Sequence, residues 1–190
     1  MNRVSSYDIM NEILERWSPR AFDPKAVPDN DVMAVLEAAR FAPSCFNEQP
    51  WRFIVGSRDS GNEKWVSNHE KVLSLLNETN RRWAEKAPVL LIILGIKAFE
   101  KNGKDNFWHL FDSGTAWGFL SLEAQRRGYV THGMGGFNKQ QTGEVFSLSE
   151  ELQPIAVIAL GRHGQTEELP EDLRERELPG SRKPLEVLIL

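Results

Sequence analysis

Apolar positions along the chain fall into a few periodic runs separated by proline, glycine and charge. Ile9, Met10, Ile13 and Leu14 recur at helical spacing behind Ser5, an N-cap candidate with Asp8 three residues on. They predict a first helix that ends near Trp17, because Pro19 disfavours a helical conformation at Ser18. Pro28-Asp29 opens a second helix with Val32, Leu36 and Ala39 on one stripe, stopping before Pro43. Residues 51–55 are rich in β-formers and predict a strand. Residues 56–86 are polar with scattered Trp and Leu, and their second half reads as helical. Residues 89–94 are unbroken aliphatic, which fits a strand covered on both faces.

Residues 107–127 carry apolar side chains on nearly every face and precede Gly128, a C-cap candidate, so they predict a long interior helix. A helix of that kind, about 30 Å long, implies a second subunit over part of it. Trp108, Phe111 and Trp117 are then either anchors of that contact or packing within one chain. Tyr129-Val130, a glycine-rich "HGMGGF", a polar segment and a buried strand at residues 155–160 follow. The tail from 165 to 183 is charged and punctuated by proline, yet it ends in Val187-Leu188-Ile189-Leu190. That ending predicts a strand that docks at a distance, on a partner. No repeat, low-complexity stretch or domain boundary interrupts the chain, so residues 1–190 read as a single domain.

Composition narrows the function classes. The formal net charge is −4 and basic residues are interleaved with acidic ones, which argues against a nucleic-acid surface while leaving local anion sites open. The longest apolar run, residues 87–96, is half the ~20 residues that a membrane span needs. One cysteine, Cys45, permits neither an intrachain disulfide nor a cysteine zinc cluster. Together these features point to a soluble protein of the reducing cytoplasm.

Side-chain catalysis finds little support. There is no phosphate-binding Gly-x-x-x-x-Gly-Lys-Ser/Thr loop and no strand-to-helix Gly-x-Gly-x-x-Gly. His69, His109, His132 and His163 are far apart, without the i,i+4 spacing of a zinc pair. Ser44 lacks a nucleophile-elbow context, and Cys45, with no neighbouring His or Lys, reads as a space-filling residue. Asp112 and Glu123 share one face of the long helix and read as solvated or interfacial carboxylates. An enzyme with these residues relies on a bound cofactor.

Four segments suit a cofactor. Arg16-Trp17-Ser18-Pro19-Arg20 places two guanidinium groups and a hydroxyl within five residues, a fork for a phosphomonoester or a basic helix end. Ser181-Arg182-Lys183 repeats the composition. "GMGGF" offers backbone N–H groups for close approach to a flat ligand, as well as a plain tight turn. Between Pro43 and Pro50, Ser44, Asn47 and Gln49 carry donors and acceptors for a heteroaromatic edge, or satisfy the loop itself.

In order and separation, "RWSPRAF", "APSCFNEQPWRFIV", "APVLLIIL", "DSGTAWGFLSLEAQRRG", "GMGGF" and "SRKPLEVL" resemble the FMN-dependent nitroreductase family from Arg16 to the C-terminus. The resemblance implies an α+β fold, a central and mostly antiparallel sheet flanked by helices, in an intertwined homodimer. Two FMN sites would lie at the subunit interface, with the arm at 165–190 reaching the partner. Carried onto this chain, Arg16, Ser18 and Arg182 resemble the phosphate ligands, beside Trp17, and Arg20 resembles the basic residue at the ribityl and pyrimidine end. Pro43, Ser44, Cys45 and Asn47 look like the loop that the partner subunit contributes beside the isoalloxazine, and Gly135 and Gly136 like the backbone that meets flavin N5. Asn80 is similar to an asparagine at the ring edge. The implied activity is an NAD(P)H-dependent oxidoreductase, with NADH or NADPH a transient reductant and a small electron-poor acceptor. Other flavin chemistry or a non-catalytic flavin binder are the alternatives.

The chain departs from the pattern at three places. Trp17 stands where a basic residue or His is frequent, Gly180 replaces a basic residue near the phosphate, and Trp83 falls near a lysine position of some members. Arg162 and Lys183 are the candidates to compensate for the missing charge.

Overall fold

The computed structural model describes residues 3–190. Along the chain the elements are α1 (Asn11–Glu15), β1 (Phe22–Asp23), α2 (Asp29–Arg40), β2 (Trp51–Ser57), α3 (Glu63–Leu75), α4 (Glu78–Ala84) and β3 (Val89–Ile96). They continue with α5 (His109–Arg126), β4 (Val130–Met134), α6 (Lys139–Phe146), β5 (Leu152–His163) and α7 (Glu171–Arg174).

The aliphatic run becomes β3, which is buried between two layers of helices. It pairs antiparallel with β2, from Trp51 opposite Gly95 to Ser57 opposite Val89, and on its other edge with β5. The far edge of β5 takes β4 and then β1, both antiparallel, giving a five-stranded sheet. Successive side chains of a strand point to opposite faces, and β3 divides accordingly. Leu90, Ile92 and Leu94 pack with Val72 and Leu75 of α3 and with Trp83 of α4. Val89, Leu91 and Ile93 pack with Val32, Val35 and Ala39 of α2 and with Ala116, Leu120 and Ala124 of α5. Both faces are apolar, so alternation is lost from the sequence.

α5 ends as its sequence indicates. Gly128 adopts φ +77°, its N–H donates to the Gln125 carbonyl, and the Tyr129 N–H reaches back to Ala124 at 2.9 Å, a Schellman closure. The burial is less uniform than the composition implied. Ala116, Leu120 and Ala124 are in the core, whereas Trp108 and Phe111 are exposed. Trp117 is core packing of its own chain: its indole lies against Gly133 of β4.

Two predicted elements differ. The first helix is a single short run, Asn11–Glu15, without a side-chain cap; Ser5 instead accepts a hydrogen bond from the Tyr7 N–H. Ile9, Met10 and Ile13 are exposed, so within one chain nothing rewards extending the helix toward Ser5. The C-terminal apolar residues do not form a strand. Leu185–Val187 is a 3-10 turn, and Leu188, Ile189 and Leu190 are exposed. A strand needs an edge to pair with, and among the described residues these pair with none. The charged arm before them is fastened to α4 by Arg82–Asp172 at 2.7 Å and Lys86–Glu168 at 2.7 Å.

Candidate functional site

Arg16 follows α1 and Arg182 lies in the C-terminal arm, yet the fold brings them into one cluster with a third guanidinium, Arg3. Arg3 Nη1 donates to the Arg16 carbonyl at 2.6 Å, and its Nε donates to the Gly180 carbonyl at 3.2 Å. Arg182 Nη1 donates to that same carbonyl at 3.3 Å. Arg16 Nη1 makes two long contacts, to the Ser18 hydroxyl and the Trp17 carbonyl, each at 3.4 Å. Burial first, then the nearby Arg3 and Arg182 charges, hold the Arg16 pKa below its ordinary value. Among the described residues, no carboxylate forms a salt bridge with any of the three. Three cations with no anion among them are electrostatically unfavourable unless something anionic joins them.

The acid nearest this segment is already engaged. Glu177, buried, accepts from the backbone N–H groups of Arg20 and Ala21 at 2.8 Å each, and His163 Nε2 lies 3.7 Å away. This carboxylate fastens the arm to the 16–20 segment and fixes the backbone of Arg20. The Arg20 guanidinium has no hydrogen-bond partner among the described residues. The Trp17 ring packs edge-on against His163 at 5.5 Å. Beside it, His132 Nδ1–H donates to the Pro19 carbonyl at 2.9 Å. Burial pushes its pKa down, so this ring is held neutral.

The glycine-rich segment follows β4. The two glycines have different reasons to be glycine. A Cβ on Gly136 would lie 2.8 Å from the Asn80 amide nitrogen and closer still to that of Asn77. The Gly136 carbonyl accepts from the Asn77 N–H and from Asn80 Nδ2, both at 3.1 Å. Asn80 thus holds the loop onto α4. A Cβ on Gly135 would meet nothing within 4 Å, and this exposed stretch of backbone is open to a flat ligand.

The proline-bounded loop is shaped by local strain. After Pro43, residues Cys45–Asn47 form a 3-10 turn; Phe46 and Asn47 within it and Gln49 just beyond it all have φ between +51° and +58°. For Phe46 that conformation is an outlier, and such strain persists only where surroundings impose it. Here the Ser44 hydroxyl accepts from the Gln49 N–H at 2.9 Å, and Asp112 Oδ2 accepts from the Cys45 N–H at 3.0 Å. Asp112 is buried within the single chain, which removes the solvated alternative of the two expected of it, solvated or interfacial, and it acts as the anchor of this loop. Glu123 is paired instead with Arg126 and Arg127.

Of the two compensating candidates, Arg162 is engaged elsewhere, over the Tyr129 ring at 4.9 Å, and Lys183 is exposed in the C-terminal arm. Trp83 is a core side chain, stacked on Phe22 and 4.6 Å from His132. No sequence signal marked Arg3, Asp112 or Glu177 for these roles, because each acts through a backbone group that spacing does not identify. A hollow of about 380 Å³ lined by Ala26, Asp29, Asp59 and Gly61 shares no residue with these segments. Among the described residues no group of acids, His and Cys is placed to hold a metal, and no helix is long and apolar enough to cross a membrane.

The Nitroreductase family model matches residues 13–162. A Bacillus subtilis (strain 168) protein provisionally named NAD(P)H nitroreductase YdgI is 26% identical, over 84% of this chain and 90% of its own. A Thermus thermophilus protein named NADH dehydrogenase is 26% identical, over 96% of this chain and 95% of its own. The solved structure of an oxidoreductase containing FMN superposes with a TM-score of 0.91 at 36% identity, covering 99% of this chain and 93% of that one.

Proposed function

The chain belongs to the nitroreductase family, and on that premise we propose that it is an FMN-dependent oxidoreductase using NADH or NADPH as a transient reductant. Its second substrate is an electron-poor small molecule such as a nitroaromatic or a quinone, and the two substrates take turns in one pocket, a ping-pong cycle. The observation that carries this reading is the cluster of guanidinium groups without a carboxylate, together with a glycine backbone open to a flat ligand at the end of β4, the strand whose His132 is bonded to the Pro19 carbonyl of the 16–20 segment. Those residues fit a phosphorylated flavin: the cluster suits a phosphomonoester, and Gly135 leaves room for a ring system.

When bound, FMN supplies two-electron hydride chemistry at N5. The chain's own residues bind and orient. Arg16, Ser18 and Arg182 would hold the phosphate, and Arg20, its backbone fixed by Glu177, would place its charge toward the ribityl and pyrimidine end. The Gly135 N–H would help to orient the ring, with Asn80 fixing the loop behind it.

The site is completed by a second copy of the chain. Pro43, Ser44, Cys45 and Asn47 of one protomer would cover the flavin held by the arginines of the other. Exposed Trp108 and Phe111 at the start of α5, and the exposed 188–190 terminus, supply apolar surface for that contact.

The test is a visible spectrum of the purified protein, followed by anaerobic titration with each nucleotide. We expect flavin absorption that bleaches with NADH or NADPH and returns on adding a quinone. Arg182→Ala should lose most of its FMN on gel filtration. A protein that takes up no added FMN overturns the proposal, and one that binds FMN which neither nucleotide reduces is a flavin binder instead.

A further inference from the structure

The sequence leaves a gap in the anion site, since Gly180 brings no side chain where a basic residue is expected. The fold closes that gap from the other end of the chain. Arg3 approaches the Gly180 carbonyl that also holds Arg182, and it reaches the Arg16 carbonyl as well, so the backbone draws three guanidinium groups together. Of the five N–H donors of an arginine, Arg3 directs one from Nε and one from Nη1 to these carbonyls. The other three have no partner among the described residues.

What sets the cluster apart is that three guanidinium groups are drawn together with no carboxylate among them: Arg3 and Arg182 both count among the charges that lower the Arg16 pKa, after burial. Glu177, which holds the 16–20 segment, is spent on the backbone amides of Arg20 and Ala21.

We propose that Arg3 is a third phosphate-binding guanidinium that takes the place vacated at position 180, so that the N-terminal segment makes the chain discriminate FMN from riboflavin. This rests on the FMN reading above. The geometry supports it in two respects: the anchored Nε and Nη1 fix the plane of the fork, and the unanchored Nη2 side is free to meet an oxyanion. Arg3, like Arg16, is held below its ordinary pKa, by burial first and by the Arg182 charge second, a penalty that a bound dianion would remove.

Equilibrium dialysis of the purified protein against FMN and, separately, riboflavin tests the assignment, with wild type, Arg3→Ala and Arg3→Lys side by side. Arg3→Ala should weaken FMN binding about 10- to 100-fold and leave riboflavin binding within about twofold. Arg3→Lys, which keeps the charge but not the fork, should fall between them. Raising KCl should weaken FMN binding to wild type more steeply than to Arg3→Ala, because one screened attraction is gone. Equal affinity of wild type and Arg3→Ala for FMN, or a parallel loss for both flavins in Arg3→Ala, overturns the role of Arg3 alone. A wild type that takes up neither flavin overturns the FMN reading and this assignment with it.

Discussion

Single residues at the site act through the backbone of others. Asp112 is the sharpest instance: its buried carboxylate, on the first turn of α5, receives the N–H of Cys45 and so holds a loop with three non-glycine residues in the left-handed region. Asp112→Ala leaves that N–H without an acceptor and removes the anchor against strain, which should cost about 1–3 kcal/mol. Asp112→Asn, which keeps an accepting oxygen, should recover much of the loss. Urea unfolding of the two variants checks this, and an alanine variant as stable as wild type would show that the loop holds its shape unaided. Roles of this sort were not legible in the sequence. Asp112 and Cys45 are 67 positions apart, and the partner of the carboxylate is an N–H that every residue except proline carries. What the residue types did indicate is where cationic and hydroxyl groups gather: Arg16, Ser18 and Arg182 lie in the two segments singled out for that composition, and the fold brings those segments together.

Elements set how close the chain comes to a ligand. β4 delivers Gly135 and Gly136 to the end of α4, where Asn77 and Asn80 occupy the space that a side chain at 136 would need. Gly136→Ala should therefore displace both amides and lower stability by about 1–2 kcal/mol. Gly135→Ala should melt with wild type yet retain less FMN, since its methyl group projects into open space on the ligand side. Thermal melts paired with flavin retention separate the two; a Gly135→Ala protein that keeps its full flavin would place the ring elsewhere. Helices that bury a stripe within the chain were readable, as with Val32 and Ala39 of α2, although Val35 rather than the expected Leu36 is the fully buried residue between them. α1 was not, because its apolar residues have no surface in the same chain to pack against, and amphipathic spacing alone does not carry a helix that short.

At the scale of the whole molecule, one chain exposes Trp108, Phe111 and the 188–190 terminus. The proposed assembly is two chains of 21.7 kDa, and its cofactor occupancy depends on association. Phe111→Glu puts a charge on the apolar start of α5 and should shift sedimentation toward the single-chain mass while releasing flavin in proportion. Dissociation without flavin loss would make each site the property of a single chain. Sheet order was beyond the sequence for a related reason: strands without alternation say that both faces are covered, and nothing about which neighbour lies on which edge.

That order bears on how the polypeptide assembles during synthesis. β5, made after the other four strands, is the one that β1, β3 and β4 all pair with. Until it emerges from the ribosome, β3 has β2 as its sole neighbour and β1 and β4 have none, so three rows of unpaired amides wait on residues 152–163. The sheet is completed by insertion into its middle rather than by growth from an edge, which makes the nascent chain reliant on its helices to shield apolar strands from neighbouring polypeptides.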